Sequence, residues 1–286
     1  MPELPEVETI VRQLRRQVLG KTIRAFRLSW PRSIAGPEAE FRRRVRGMTI
    51  AAVTRRGKYI GVQGTDGTFF TVHLRMTGKL VCELAAADRK HLRLQFTFND
   101  GTALYFVDAR KFGRLRLWPC RGESCPGLGP EPLQAETVLR VLGRLKTKRA
   151  IKSVLLDQAV LAGIGNIYAD EALFAAGIHP LTAAAVLNVG QQERLAYAVP
   201  RILKQAIGRR GTTLRNYRSV DDRTGENQEH LNVYGRAGAP CVICGAGIER
   251  LRISGRSSHF CPQCQKRPRV GRKRAPTRCA SGRRPR

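Results

Sequence analysis

The sequence predicts an α+β protein: an N-terminal helix and an antiparallel β-sandwich, then a helical C-terminal half closed by a four-cysteine zinc ribbon. Three observations predict it. An apolar stripe at helical spacing opens the chain, short segments of period-two alternation follow, and Cys241, Cys244, Cys261 and Cys264 form two Cys-x-x-Cys pairs sixteen residues apart.

In the opening segment Leu4, Val7, Ile10, Val11, Leu14 and Val18 fall on one helical face, Pro5 suits an early turn, and Gly20 marks the stop. That stripe fastens a helix to a core and holds Pro2 and Glu3 at its start. From residue 21 to about 117 the texture changes. Segments 68–74, 91–98 and 103–107 read as strands, with turns at 64–67 and 99–101. The connections are too short for crossover helices, which favours antiparallel pairing.

Residues 119–132 are rich in Gly and Pro and read as a linker. Segments 135–145, 150–158, 166–176 and 191–207 read as helices, with a tight turn at 162–165 and Asn166 as the expected N-cap. A helix start after such a turn presents free N–H groups, and Lys146, Lys148, Arg149 and Lys152 nearby make phosphate a fitting ligand, alongside a purely structural turn. Residues 208–235 are polar and weakly patterned, as in a disordered or functional loop. In the ribbon, two hairpins each donate a cysteine pair to one structural Zn²⁺, since four thiolates leave no position for water or substrate. Cys82, Cys120, Cys125 and Cys279 lack partners at comparable spacing and read as buried or incidental thiols. The expected organisation is a sandwich domain at 1–118, a linker at 119–134, a helical domain at 135–235, the ribbon at 236–266 and a basic disordered tail at 267–286.

The formal net charge is +30, from 52 Lys and Arg against 22 Asp and Glu. Residues 265–286 carry ten of those cations and no acid, which leaves +20 on the rest, so the folded body is basic as well as the tail. Such a chain attracts nucleic acid phosphates, with binding that weakens as salt rises. No apolar run reaches transmembrane length and no secretory leader is visible, so metal thiolates in a reducing cytoplasm are expected rather than disulfides.

Six pieces occur in one order: PELPEVET from Pro2, RRGKY at 55–59, HLRMTG at 73–78, DARKFG at 108–113, GIGNIYADEALF at 163–174, and the four-cysteine unit. From residue 2 to about 266 this pattern resembles bacterial formamidopyrimidine-DNA glycosylase, the family that repairs 8-oxoguanine. The resemblance implies a catalytic N-terminal domain, a helix-two-turns-helix domain, and a bifunctional glycosylase and apurinic/apyrimidinic (AP) lyase acting as a monomer on double-stranded DNA, in a bacterial cytoplasm at the nucleoid. It places the nucleophile on Pro2 once Met1 is removed, the acid/base on Glu3, a phosphate-reaching lysine on Lys58 and a supporting carboxylate on Glu6. An N-terminal secondary amine keeps a useful neutral fraction at pH 7, which an unperturbed lysine does not.

The resemblance further implies DNA contacts through Met76, His91, Arg110, Phe112, Lys152, Asn166 and Arg256. Met76, Arg110 and Phe112 would fill the hole left by an extruded nucleotide, and Asn166 and Arg256 would grip phosphate. A loop covering the damaged base is implied at Ser219, Val220, Asp221, Asp222, Arg223, Thr224, Gly225 and Glu226. His259 stands where members usually carry an aromatic and is expected to pack rather than bind zinc. The tail beyond residue 266 lies outside the pattern. Two rivals stand beside this reading. One is the endonuclease VIII-like branch for oxidised pyrimidines, whose opening reads PEGPE rather than PELPE, and the other is a non-catalytic zinc-containing DNA-binding protein.

Overall fold

The computed structural model describes residues 1–119, 125–213, 220 and 224–267. Helix α1 (Leu4–Val18) buries its whole apolar stripe. After it come β1 (Ile23–Leu28), α2 (Glu38–Val45), β2 (Ile50–Arg56), β3 (Tyr59–Gly64), β4 (Phe69–His73), β5 (Gly78–Val81), β6 (Leu92–Phe98), β7 (Ala103–Asp108) and β8 (Arg114–Trp118). They form two four-stranded antiparallel sheets, ordered β1-β6-β7-β5 and β2-β3-β4-β8. The apolar faces of both sheets, α1 and α2 share one core, in which Phe41 packs against Phe26 and Phe70 with ring centroids 5.5 and 5.4 Å away.

Strand pairing sorts the turns by end. Tyr59 pairs with His73, His73 with Arg114 and Leu92 with Val107. The turns at 57–58, 74–77 and 109–113 therefore lie together at one end of the sandwich, and His91, half-buried before β6, lies there too.

The second core is helical: α3 (Ala135–Gly143), α4 (Ile151–Leu155), α5 (Asn166–Ala176) and α6 (Val189–Gly208). Leu4 of α1 belongs to this core and not to the sandwich, so the first helix is shared. Between the halves, Arg55 of β2 grips Glu131 with both terminal nitrogens, at 2.7 and 2.5 Å, and Glu8 with Nε at 2.8 Å. Expected helix 150–158 shortens to α4 because Gln158 turns its side chain to residues 163 and 164, and Asp157 begins a new turn by accepting the Ala159 amide. The N-cap of α5 is Gly165, not Asn166.

A small third cluster surrounds the cysteines. One hairpin, β9 (Glu249–Ile253) with β10 (Arg256–Phe260), lies between the two pairs. Two hairpins were expected, but Cys241 and Cys244 sit on a tight knuckle, closed by Cys241 N–H to Ala246 O at 2.8 Å and Gly245 N–H to Cys241 O at 3.0 Å. No helix among the described residues is long and apolar enough to cross a membrane. Replacing Phe41 by Ala should cost about 3–5 kcal/mol of stability, since the two sheets cannot close on the ring's volume. Urea unfolding of the purified variant measures it.

Candidate active site

The first residues of the chain meet the start of α5 and the β2–β3 turn. Glu3 is the N-cap of α1, and its N–H donates to Glu6 Oε2 at 2.7 Å. Its carboxylate reaches instead across to the other half, accepting the Ile167 amide at 3.0 Å and, more weakly, the Tyr168 amide at 3.5 Å. It thereby takes up orphan donors that every helix start presents. Two of the N–H groups expected to meet phosphate here, those of Ile167 and Tyr168, thus face the chain's own acid.

Such an approach requires glycine. A Cβ on Gly165 would lie 2.2 Å from the Glu3 carboxyl carbon, and one on Gly163, at φ +97°, would lie 2.7 Å from Leu4. Leu4 N–H donates to Gly163 O at 3.0 Å, which lays the chain start along this turn. Gln158 holds the turn from below through the Gly163 amide and the Ile164 carbonyl, both at 2.9 Å. Lys58, buried after Gly57, donates Nζ to the same Ile164 carbonyl at 2.8 Å.

Burial raises Glu3, and Lys58 is the largest force pulling it back. Glu6 is pushed up to about 7, first by burial and then by the charge of Glu3. Burial lowers Lys58, as does Arg256, against the pull of Glu3 and Glu6. The α-amine at Met1 is held below its ordinary range by burial, with Lys58 and Arg110 in the same sense and Glu3 and Glu6 opposing. Two acids are raised and two amines lowered, so all four move toward neutrality, the pattern that marks sites of proton chemistry.

At this end of the sandwich Met76 and Phe112 project into solvent, 44% and 48% exposed, and the Arg110 guanidinium lies 4.8 Å from the Phe112 ring centroid. Two turns display them through left-handed residues, Arg75 at φ 56° and Lys111 at φ 60°. Buried groups hold both conformations. His73 Nδ1 accepts the Arg75 amide at 3.0 Å, which keeps the ring neutral, with burial the main force taking it down to about 3. Asp108 accepts the Arg110 amide at 3.2 Å, the Gly113 amide at 2.7 Å and the Thr77 hydroxyl. Neither role was visible in sequence, although both residues sit inside quoted motifs.

Three family models match the chain: the formamidopyrimidine-DNA glycosylase N-terminal domain over residues 1–115, that family's H2TH domain over 128–218, and a zinc finger found in FPG and IleRS over 238–267. The chain belongs to the formamidopyrimidine-DNA glycosylase family. A formamidopyrimidine-DNA glycosylase of Chloroflexus aggregans is 47% identical over 271 residues, 93% of this chain and 98% of that protein. One of Symbiobacterium thermophilum is 42% identical, covering 99% and 95%. The Lactococcus lactis Fpg in complex with DNA containing an abasic site superposes with a TM-score of 0.85 at 35% identity, over 93% of this chain and 100% of that one.

The family's zinc finger fits the cysteines here. Their four sulfurs lie within 4.8 Å of one another, with close separations of 3.5, 3.6 and 3.9 Å. A tetrahedron with bonds of ~2.3 Å has edges of about 3.8 Å. Cys241, Cys244, Cys261 and Cys264 hold one structural zinc, whose chemistry is to cross-link the knuckles. His259 packs as expected, its ring 5.0 Å from that of Tyr234 and its amide donating to Asp170 Oδ2 at 2.9 Å.

Two expectations require correction. Lys152 is fully buried, 2.7 Å from Asp170 and donating to Ser257 O at 2.7 Å, so none of it is left for phosphate. Burial lowers it against the pull of Asp170. Its work is to hold the strand that carries the exposed Arg256, and Asn166 Nδ2 joins it on Ser257 O at 2.9 Å. Val220, expected over a base, is buried in the sandwich core with its amide on Gln13 Oε1 at 2.9 Å. Of its neighbours, Thr224 is exposed, Gly225 lies against Gly211 and Glu226 pairs with Arg210. Ser219, Asp221, Asp222 and Arg223 lie outside the described residues, as do Cys120 and Cys279.

Replacing Lys152 by Met strips the buried Asp170 of its lysine cation, leaving it the Ser258 and His259 contacts, and should cost about 3–5 kcal/mol in urea unfolding. The slope of DNA affinity against salt should stay unchanged, whereas a lost phosphate contact would reduce it by about 0.9.

Proposed function

We propose that the mature chain begins at Pro2 and is a bifunctional DNA glycosylase and AP lyase, excising 8-oxoguanine and formamidopyrimidines from double-stranded DNA. One observation carries the reading above all: Pro2 is buried next to a raised carboxyl, Glu3, and the terminal amine feels a lowered ammonium, Lys58, at the seam of the two halves. Removing Met1 moves the terminal amine to Pro2 in the same surroundings. The burial and nearby cations that lower the Met1 amine would then act on the Pro2 nitrogen and favour its neutral, nucleophilic form.

Pro2 N attacks C1′ of the damaged nucleotide, and the C1′–N9 bond breaks with its electron pair leaving on the base, which takes up a proton. Glu3, whose hold on a proton is strengthened by burial, gives its proton to O4′ as the sugar ring opens, leaving an iminium between Pro2 and C1′. Loss of a C2′ proton then expels the 3′ phosphate, a second elimination expels the 5′ phosphate, and hydrolysis frees Pro2. A one-nucleotide gap with phosphate ends remains. Lys58 and Arg256 face the phosphates flanking the lesion, with Asn166 beside them. Met76, Arg110 and Phe112 fill the vacated stack, and His91 borders the same surface. Zinc takes no part in bond making, because four thiolates complete its shell.

Both halves of the site come from one chain, which suits a monomer. The basic body supplies affinity without sequence preference, and the tail adds to it. The reading places the enzyme in a bacterial cytoplasm, at the nucleoid. A Lactococcus lactis Fpg has also been solved with DNA containing an oxidised pyrimidine, at 34% identity and a TM-score of 0.84, so lesion class needs its own measurement.

Borohydride should trap a covalent adduct between Met1-free enzyme and an 8-oxoguanine duplex, and chemical blocking of the terminal nitrogen should abolish it. Mass spectrometry of the adduct locates the bond. An unblocked, processed chain that gives no adduct would instead support a non-catalytic binding protein. Faster release of thymine glycol than of 8-oxoguanine would support the pyrimidine branch.

A further inference from the structure

Tyr168, in the first turn of α5, touches both buried carboxylates of the site. Its amide reaches Glu3 Oε2 at 3.5 Å, and its hydroxyl donates to Glu6 Oε1. That hydroxyl also lies 3.0 Å from Thr212 Oγ1, which accepts Asn227 Nδ2 at 2.9 Å. A phenol has one proton, and here it goes to Glu6, so the Thr212 hydroxyl must donate to Tyr168. Asn227, Thr212 and Tyr168 therefore form a chain of donors pointing one way and ending on a carboxylate, and each bond polarises the next. Thr212 adds its own amide to Glu6 Oε1 at 2.8 Å. Gly211, at φ +79°, is confined to glycine here, since a Cβ would lie 2.8 Å from the same oxygen.

We propose that Tyr168 is a positioning residue of the reaction. With Thr212 and Asn227 behind it, its hydroxyl aims the Glu6 carboxyl so that Oε2 holds the Glu3 amide, and with it the end of the chain that carries Pro2. The inference rests on the reading in which Pro2 is the nucleophile. It assigns Glu6 the work of fixing where that nitrogen stands, and assigns Tyr168 control of Glu6.

The electrostatics agree with the geometry. Among the described residues, the charged and titratable groups that act on or through Glu6 include Glu3, Tyr168, Lys58 and the terminal amine. Burial raises Glu6 to about 7, while the Tyr168 hydroxyl is the largest influence pulling it down. Burial, then the charge of Glu6, holds the phenol well above 10, so it remains a donor throughout the working range.

Tyr168→Phe deletes one oxygen and tests the assignment. Loss of a donor favours protonated Glu6, so the acid limb of the single-turnover pH profile on an 8-oxoguanine duplex should move to higher pH. The rate at pH 7 should fall about fivefold for the first unit of that movement, about tenfold for each further unit, and recover as pH rises. Affinity for a duplex carrying an uncleavable abasic analogue should not change. In the Glu6→Gln background, adding Tyr168→Phe should alter the rate less than twofold, because the group it acts through has gone.

A wild-type rate and profile in Tyr168→Phe would overturn the proposal, as would an undiminished loss in the Glu6→Gln background, which marks packing alone. Should Tyr168→Phe fail to fold, the wild-type profile decides: a limb near pH 7 that survives Glu6→Gln overturns the proposal, and its disappearance supports it. Borohydride trapping of the wild type separates the two levels. Without an adduct the Pro2 reading fails, whereas an adduct with an indifferent Tyr168→Phe sinks only the role of Tyr168.

Discussion

The carboxylate of Glu3, seated on the amides of Ile167 and Tyr168, is the contact from which the geometry of the site follows. A helix start carries about half a positive charge, and an acid placed there is stabilised. Here the acid comes from 164 residues away, so one bond both caps α5 and docks the N-terminus on the helical half. Leu4 enters the second core because Glu3 is there, Gly163 and Gly165 are required because the chains then pass within van der Waals contact, and Lys58 finds the Ile164 carbonyl in the same turn.

Placing two carboxylates in that seam works against stability. Glu6 titrates near 7 in the folded chain against an ordinary value of 4.5, so the folded state holds its proton more tightly than the unfolded one. Its contribution to stability is fully present below 4.5 and is lost as pH rises through about 7. Glu3 acts in the same direction. The fold thus gives up stability as pH rises through neutrality, a trade common at active sites.

Local chemistry was legible in the sequence. The α1 stripe, the end of α1 before Gly20, the start of α5 and the four thiolates all rest on residues a few positions apart, where periodicity and spacing act. Strands β1, β2, β3, β5 and β8 escaped individual reading, since short strands, some interrupted by glycine as in YIGVQG, give little alternation to detect. The misassigned residues share one cause. Lys152 looks like a surface cation until Asp170 is seen beside it, Asn166 looks like a cap until Glu3 arrives from the other half, and Val220 looks like loop until the sandwich core receives it. Tyr168, a core aromatic by composition, gains its meaning from Glu6, 162 positions earlier. Partners so distant leave no trace in local pattern, and the motifs alone marked the segments that meet.

The glycine at 165 also bears on what an incompletely assembled molecule can do. With no side chain there, the carboxylate proposed above as the proton donor is also the latch between the halves. A nascent or partly melted chain still carries its positive charge and so still clings to the duplex, yet the proton donor is out of place until both halves have closed. On the proposed mechanism the scaffold is therefore an interlock, in which adhesion to a duplex does not by itself permit the breaking of a strand.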